Sequence, residues 1–234
     1  MNQTITPIGA LSDLHQQVTQ AFCELAKECV QANGVFRVSL SGGSTPKVIY
    51  QMLADEDLPW EKTHWFWGDE RNVAHDHDDS NCRMVHEALL SKVPVPKQNI
   101  HPVPVDVNSP QAAALKYDQH LRGVFDGQTM PMWDLVLLGM GDDAHTASLF
   151  PSTQALAQES RWFVENWVEK FDAFRYTLTA PAINSASEKW FLVAGEAKKQ
   201  ALALVLGKDK NLELYPSQLI SPTRWFVTAD AWTG

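Results

Sequence analysis

The chain predicts an α/β fold built from βαβ units, and three observations carry that reading. Segments with apolar residues at helical spacing alternate with short strand-like runs, which favours βαβ connections over a bundle or a sandwich. The runs are rich in β-branched, aromatic and aliphatic residues. Two of them lead into glycine-bearing turns, at 41–45 and 139–146, the place where an α/β protein gathers its chemistry.

Leu11, Leu14, Val18, Phe22 and Leu25 mark one apolar helix face, and Asn33-Gly34 supplies its C-terminal stop. Residues 35–40 read as a strand. After the first glycine turn, Thr45 and Pro46 are expected as N-cap and first residue of a helix to about Leu53. Trp65-Phe66-Trp67, Leu135-Val136-Leu137-Leu138, Tyr176-Thr177-Leu178-Thr179 and Phe191-Leu192-Val193-Ala194 are further strands. Helices are expected to start at Ser80, at Ser109-Pro110 and after Gly195-Glu196. The proline-rich stretch 93–110 reads as a long irregular connection. No shift of composition marks an interdomain linker, so 1–234 is expected to form a single domain.

The 234 residues suffice to bury a sizeable core, and 44% hydrophobic with 20% charged residues is ordinary for a globular protein. A net charge of −9 argues against nucleic acid or an anionic membrane as the main partner, so an anionic ligand needs a local cluster of positive groups. No apolar run approaches the roughly 18–20 residues that span a bilayer, and Met1-Asn2-Gln3-Thr4 lacks the basic start of a signal peptide. The cytoplasm is the expected location. Cys23 and Cys29 point in different directions from one helix and Cys82 stands alone, so reduced, mostly buried thiols are expected rather than a metal pair or a disulfide.

Three segments carry candidate chemistry. In the turn Ser41-Gly42-Gly43-Ser44-Thr45, two glycines let backbone N–H groups approach a ligand, hydroxyls add donors, and the following helix presents its positive end to an anion. A tight turn without a ligand is the competing reading. The turn is neither a Walker A loop nor a GxGxxG fingerprint, so a nucleotide has little support. In Gly68-Asp69-Glu70-Arg71, Arg71 can fork hydrogen bonds to substrate oxygens with Asp69 or Glu70 orienting it, while a solvated ion-pair cluster is the alternative. In Gly139-Met140-Gly141-Asp142-Asp143-Ala144-His145, Asp143 can orient the His145 ring and leave its other nitrogen as a base. No Gly-x-Ser-x-Gly elbow surrounds Thr146 or Ser148, so activated water is the expected nucleophile. The run His75-Asp76-His77-Asp78-Asp79 lacks the spacing of a metal site, and none is expected.

Together these three blocks closely resemble, in order, the 6-phosphogluconolactonase family, and weaker matches extend the resemblance over nearly the whole chain. It implies an open, mostly parallel sheet of modified Rossmann type flanked by helices, similar to the glucosamine-6-phosphate deaminase and ribose-5-phosphate isomerase group. It also implies a small-molecule substrate, 6-phospho-D-glucono-1,5-lactone, hydrolysed without a cofactor in the pentose phosphate pathway. Arg71 and turn N–H groups become candidates for oxyanion stabilisation. Ser80-Asn81-Cys82-Arg83 is similar to the family's Ser-Asn-aromatic-Arg segment, making Arg83 a possible second basic contact. Arg175, in Arg-Tyr-Thr-Leu-Thr, and Lys198, in Gly-Glu-Ala-Lys, stand where relatives of this fold hold the phosphate, with Lys199 a competing candidate.

Two departures from the family pattern stand out. Ala144 replaces a glycine between aspartate and histidine, and a left-handed backbone there would cost alanine roughly 1–2 kcal/mol and displace His145. Ala74 replaces a proline and is expected to loosen its loop. A glucosamine-6-phosphate deaminase is the enzyme alternative, but that family's catalytic glutamate is Phe150 here, and Asp-Glu-Arg replaces its Asp-Glu-Tyr. A non-catalytic sugar-phosphate sensor is the other alternative.

Overall fold

The computed structural model describes residues 5–233; the segment 1–4, read above as lacking a basic leader, lies outside them. α1 (Leu11–Asn33) ends at Gly34, whose φ of 76° turns the chain and whose N–H reaches the Val30 carbonyl at 2.9 Å. Leu14, Val18 and Phe22 are buried on its inner face, but Leu11 is 45% exposed. Helical side chains lean toward the N-terminus, so a first-turn leucine points past the packed face.

β1 (Phe36–Leu40) is central and buried, as expected for a strand covered on both faces. α2 (Ser44–Leu53) starts earlier than expected: Gly43, with φ 108°, is the N-cap, and Pro46 is the third helical residue. Proline is tolerated there because first-turn N–H groups have no intrahelical acceptor. β2 (Thr63–Trp67), the three-residue β3 (Asp69–Arg71) and α3 (Asn81–Val85) follow, and α3 runs on into a π-turn at His86–Leu90. The proline-rich connection holds a two-residue strand, β4 (Ile100–His101), before α4 (Pro110–Val124), which starts after Ser109 as expected. β5 (Leu135–Gly139), β6 (Phe163–Val168), β7 (Ala173–Leu178), α5 (Ala180–Asn184), β8 (Glu188–Val193), α6 (Lys199–Leu206) and β9 (Arg224–Val227) complete the described chain.

Among the described residues, six strands form one sheet in the order β4-β2-β1-β5-β8-β9, with every pair parallel. The chain winds outward from β1 through β2 to β4, then returns to β1's other side with β5 and winds outward again. The β1/β5 boundary is therefore a topological switch point, where loops at the carboxyl ends diverge and leave a crevice. A second sheet, β3-β7-β6, is antiparallel, so the strand read at 176–179 belongs to this smaller layer and ends at Leu178. Gly68 joins the layers: its N–H donates to Leu40 O at 2.9 Å and its carbonyl accepts from Leu178 N at 2.7 Å. The smaller sheet is thereby held over the carboxyl edge of the larger one.

Among the described residues no helix is long and apolar enough to cross a membrane. The three cysteines are free; Cys23 is buried, while Cys29 and Cys82 are half-buried, less enclosed than expected. Burial is the main cause that pushes their thiols up, to about 11, 11 and 12 respectively, so they are protonated at neutral pH.

Candidate active site

At the switch point lies a crevice of about 200 Å³. Ser41, Gly42 and Gly43 line it from the end of β1, Asp69 and Arg71 from β3, Gly139, Met140, Gly141, His145 and Ala147 from the end of β5, and Lys198 from beyond β8. Sequence-distant candidates thus meet because parallel strands deliver their carboxyl ends to one edge.

His145 is held from several sides. Its Nδ1 lies 2.5 Å from Asp143 Oδ1, and Lys170 Nζ approaches the other Asp143 oxygen at 2.9 Å. Burial raises the Asp143 carboxyl, but the hydrogen bonds from His145 and Lys170 outweigh it and hold the group well below the usual carboxylate range. An ionised carboxylate only accepts, so Nδ1 carries the proton donated to Asp143 and, in the neutral ring, Nε2 carries a free lone pair. The Phe150 ring stacks on His145 at 4.0 Å between centroids and 26° between planes. Gly141 provides the room for the ring: a Cβ there would fall 2.0 Å from His145 Nδ1.

The backbone of this loop is strained. Ala144, Ala147 and Ser152 have φ of 63°, 48° and 57°. Alanine is thus in the left-handed conformation that disfavours it, yet the Asp143–His145 bond is formed. The Ala144 carbonyl accepts both the Ser217 N–H, at 2.9 Å, and its hydroxyl, at 2.8 Å, and this double contact holds the turn. Thr146 Oγ1 donates to Gly139 O and Ser148 Oγ to Asp69 Oδ2, so both neighbouring hydroxyls are already committed.

Arg71 and Arg175 face each other directly across β3 and β7. Neither carboxylate neighbour grips the Arg71 guanidinium; its Nη1 donates to the Asp79 carbonyl at 2.5 Å. Glu70 is fully buried and instead receives the N–H groups of Arg71, Asn81 and Cys82 and the Ser80 hydroxyl. It anchors the start of α3, and burial raises its carboxyl despite those donors. Burial, then the facing Arg71 charge, lowers the Arg175 guanidinium, although an arginine stays charged at neutral pH. An anion seated between the two would relieve that repulsion.

The glycine turn is only partly open to a ligand. The space a Cβ would need at Gly42 is filled by Asn81, whose Oδ1 would lie 1.9 Å away. Ser41 Oγ is buried on the crevice wall without a partner. Ser44 and Thr45 sit in the first turn of α2, outside the lining. Arg83 also lies outside it, engaged with Glu87 and Asp78 at 2.8 Å and with the Asp76 carbonyl. That carbonyl contact and the His77 N–H to Ala74 O bond close the loop where proline is missing. The His75–Asp79 run is used for such local bonds, and among the described residues no group of three or more His, Cys, Asp or Glu could hold a metal ion.

Phe150, which stands where the deaminase family has its glutamate, does lie against the His145 ring, whereas nothing in the sequence marks Lys170 as its neighbour. Lys170 sits in the loop between β6 and β7, and only the alternating pattern of two short strands could have flagged that hairpin.

A family model described as glucosamine-6-phosphate isomerases/6-phosphogluconolactonase matches residues 10–230. A 6-phosphogluconolactonase of Nostoc sp. is 48% identical over 86% of this chain and 85% of that protein. A 6-phosphogluconolactonase of Synechocystis sp. is 41% identical over 95% of this chain and 89% of that protein. The crystal structure of 6-phosphogluconolactonase from Thermotoga maritima superposes with a TM-score of 0.83 at 30% identity, covering 96% of this chain and 99% of that one.

Proposed function

Because the chain belongs to the glucosamine-6-phosphate isomerase/6-phosphogluconolactonase family, we propose that it hydrolyses 6-phospho-D-glucono-1,5-lactone to 6-phosphogluconate in the pentose phosphate pathway. The observation that carries the chemistry is the tie between His145 Nδ1 and Asp143, which leaves Nε2 free in a crevice that also holds Arg71. Nε2 takes a proton from water as its oxygen adds to the lactone carbonyl carbon, a role worth roughly a hundred- to ten-thousand-fold in rate. Asp143 stabilises the imidazolium. Arg71 and turn N–H groups face the oxyanion, each well-aimed donor contributing on the order of 3 kcal/mol. Collapse breaks the bond to the ring oxygen, which recovers the proton from His145, and the new carboxylic acid releases one to solvent.

Arg175, Lys198, the unpartnered Ser41 hydroxyl and the Gly42-Gly43 backbone hold the remote phosphate, and Asp69 anchors the Ser148 hydroxyl behind them. Ser44 and Thr45 act through the first turn of α2, and Arg83 by fixing its loop. Phe150, in the place of the deaminase glutamate, cannot pass a proton, which favours ester hydrolysis over sugar ring opening. Both sheets contribute to this one crevice, so 1–234 is taken as a single domain. A cytoplasmic location suits its three free thiols.

Proton release from fresh 6-phosphogluconolactone at neutral pH, measured over the uncatalysed background, tests the assignment. We expect strong acceleration by the wild-type protein and a loss of at least about a hundredfold in His145→Ala. Absence of acceleration by folded wild type would overturn the activity and bring the sensor reading forward; an active His145→Ala would overturn the base.

A further inference from the structure

Lys170 stands at the tip of the β6–β7 hairpin, outside the crevice lining, and forms the only lysine ion pair with Asp143 among the described residues. Its Nζ lies 2.9 Å from Asp143 Oδ2 and 3.8 Å from Asp142 Oδ1. The next residue, Phe171, meets Phe150 edge-on at 5.6 Å and 81°, and Phe150 is the ring stacked on His145. The Arg175 guanidinium lies over the Phe171 ring, 5.1 Å from its centroid. The tip itself is fixed by the Val168–Ala173 pairing and by Asp172, whose φ is 48° and whose N–H closes on Glu169 O at 3.1 Å. One short loop therefore touches both supports of the imidazole, its carboxylate and its aromatic backing.

We propose that Lys170 is a positioning residue for the lactone hydrolysis, fixing the plane of Asp143 and through it the direction of His145 Nε2. The proposal rests on His145 as the base. A carboxylate held by Oδ1 alone can swing about a broad, two-fold torsion and offer either oxygen to the ring. A second charge-assisted bond at Oδ2 removes that freedom. Because the Lys170 side chain is 53% exposed, its ion pair adds little to folding stability, so a kinetic effect is separable from a structural one.

The test is kcat and KM at neutral pH for the wild type, Lys170→Met, Lys170→Arg and His145→Ala, with a thermal midpoint for each. For Lys170→Met we expect an unchanged midpoint and a kcat lower by on the order of tenfold with KM within about twofold. Lys170→Arg should restore most of the kcat. A Lys170→Met protein with wild-type kcat, beside an inactive His145→Ala, overturns the positioning role alone. Substantial activity in His145→Ala overturns the reading of the base on which it rests.

Discussion

Ala144 is buried, left-handed in φ and flanked by the two residues that form the Asp143–His145 bond. Its conformation costs alanine roughly 1–2 kcal/mol. Glycine would recover that, but it gains about 0.4–1 kcal/mol of unfolded-state freedom and forfeits a buried methyl worth about 0.8 kcal/mol. These terms nearly cancel, so Ala144→Gly should move unfolding stability in urea by less than about 1 kcal/mol and kcat by no more than a few-fold. Ser217→Ala should cost about 1 kcal/mol, since it removes one of the two donors on the Ala144 carbonyl. A tenfold rise of kcat in Ala144→Gly would show that alanine does misplace the histidine. The condition for strain was readable in the sequence; the Ser217 clamp was not, because it comes from a segment distant in the chain. The same holds for Lys170. His145, Arg71 and Lys198 in the lining, and Asp143 bonded to His145, were legible because each follows a strand at the edge where parallel strands end, whereas Ser44, Thr45 and Arg83, in the first turns of α2 and α3, lie outside the lining.

Between β2, β4 and α4, three histidines form a hydrogen-bonded chain: His64 Nδ1 to His101 Nε2 at 3.0 Å, and His101 Nδ1 to His120 Nε2 at 2.9 Å. Phe66 stacks on the middle ring at 4.1 Å. Burial lowers all three imidazoles; the His64 and His120 rings help bring His101 down to about 4, and Arg37 adds to the effect on His64. Six ring nitrogens joined by two N–H···N bonds hold four protons at most, one more than the neutral chain carries, so a second added proton must break a bond. A folded value below the unfolded one of about 6.5 means that the stabilisation is complete above that pH and is lost as pH falls toward 4. Asp143, held below the usual carboxylate range, gives up its contribution only at more acid pH, outside this window. The melting temperature should therefore fall between pH 7 and 5, and His101→Phe should flatten the fall; equal slopes would assign the acid loss to other groups. β5 and the later residues of β2 and β8 were legible because burial on both faces makes them continuous apolar runs, and β1, which carries Arg37 and Ser39, because it sits between a helix stop and a glycine turn. β3 and β4 are too short to show a period, and the edge strand β9 and the hairpin strand β6 mix exposed and polar positions into the pattern.

At the scale of the whole molecule, an acidic chain of net charge −9 has to admit a phosphorylated substrate. The geometry resolves this by distance. Charges more than about 8 Å away are largely screened at physiological salt, so the diffuse negative field counts for less than Arg71 and Lys198 in the crevice lining and Arg175, which lies outside that lining but faces Arg71 from β7. The two arginines come from the small antiparallel sheet and the lysine from beyond β8, so their convergence depends on the Gly68 bonds that hold the two layers together. Inorganic phosphate should then inhibit competitively and raise the melting temperature beyond the effect of sodium chloride at equal ionic strength. Binding confined to the folded state is worth about 2.7 kcal/mol at a hundred times the dissociation constant. Arg175→Gln should abolish that stabilisation and raise KM for the phosphorylated lactone by at least about tenfold, the order expected when one charge-assisted contact is removed. It should leave kcat within a few-fold, because the Asp143–His145 pair has its own support at Lys170. If phosphate protects wild type and Arg175→Gln equally, the anion sits elsewhere and the facing arginines serve only the fold; if kcat falls as far as KM rises, the arginine acts on the reacting carbonyl rather than on the phosphate.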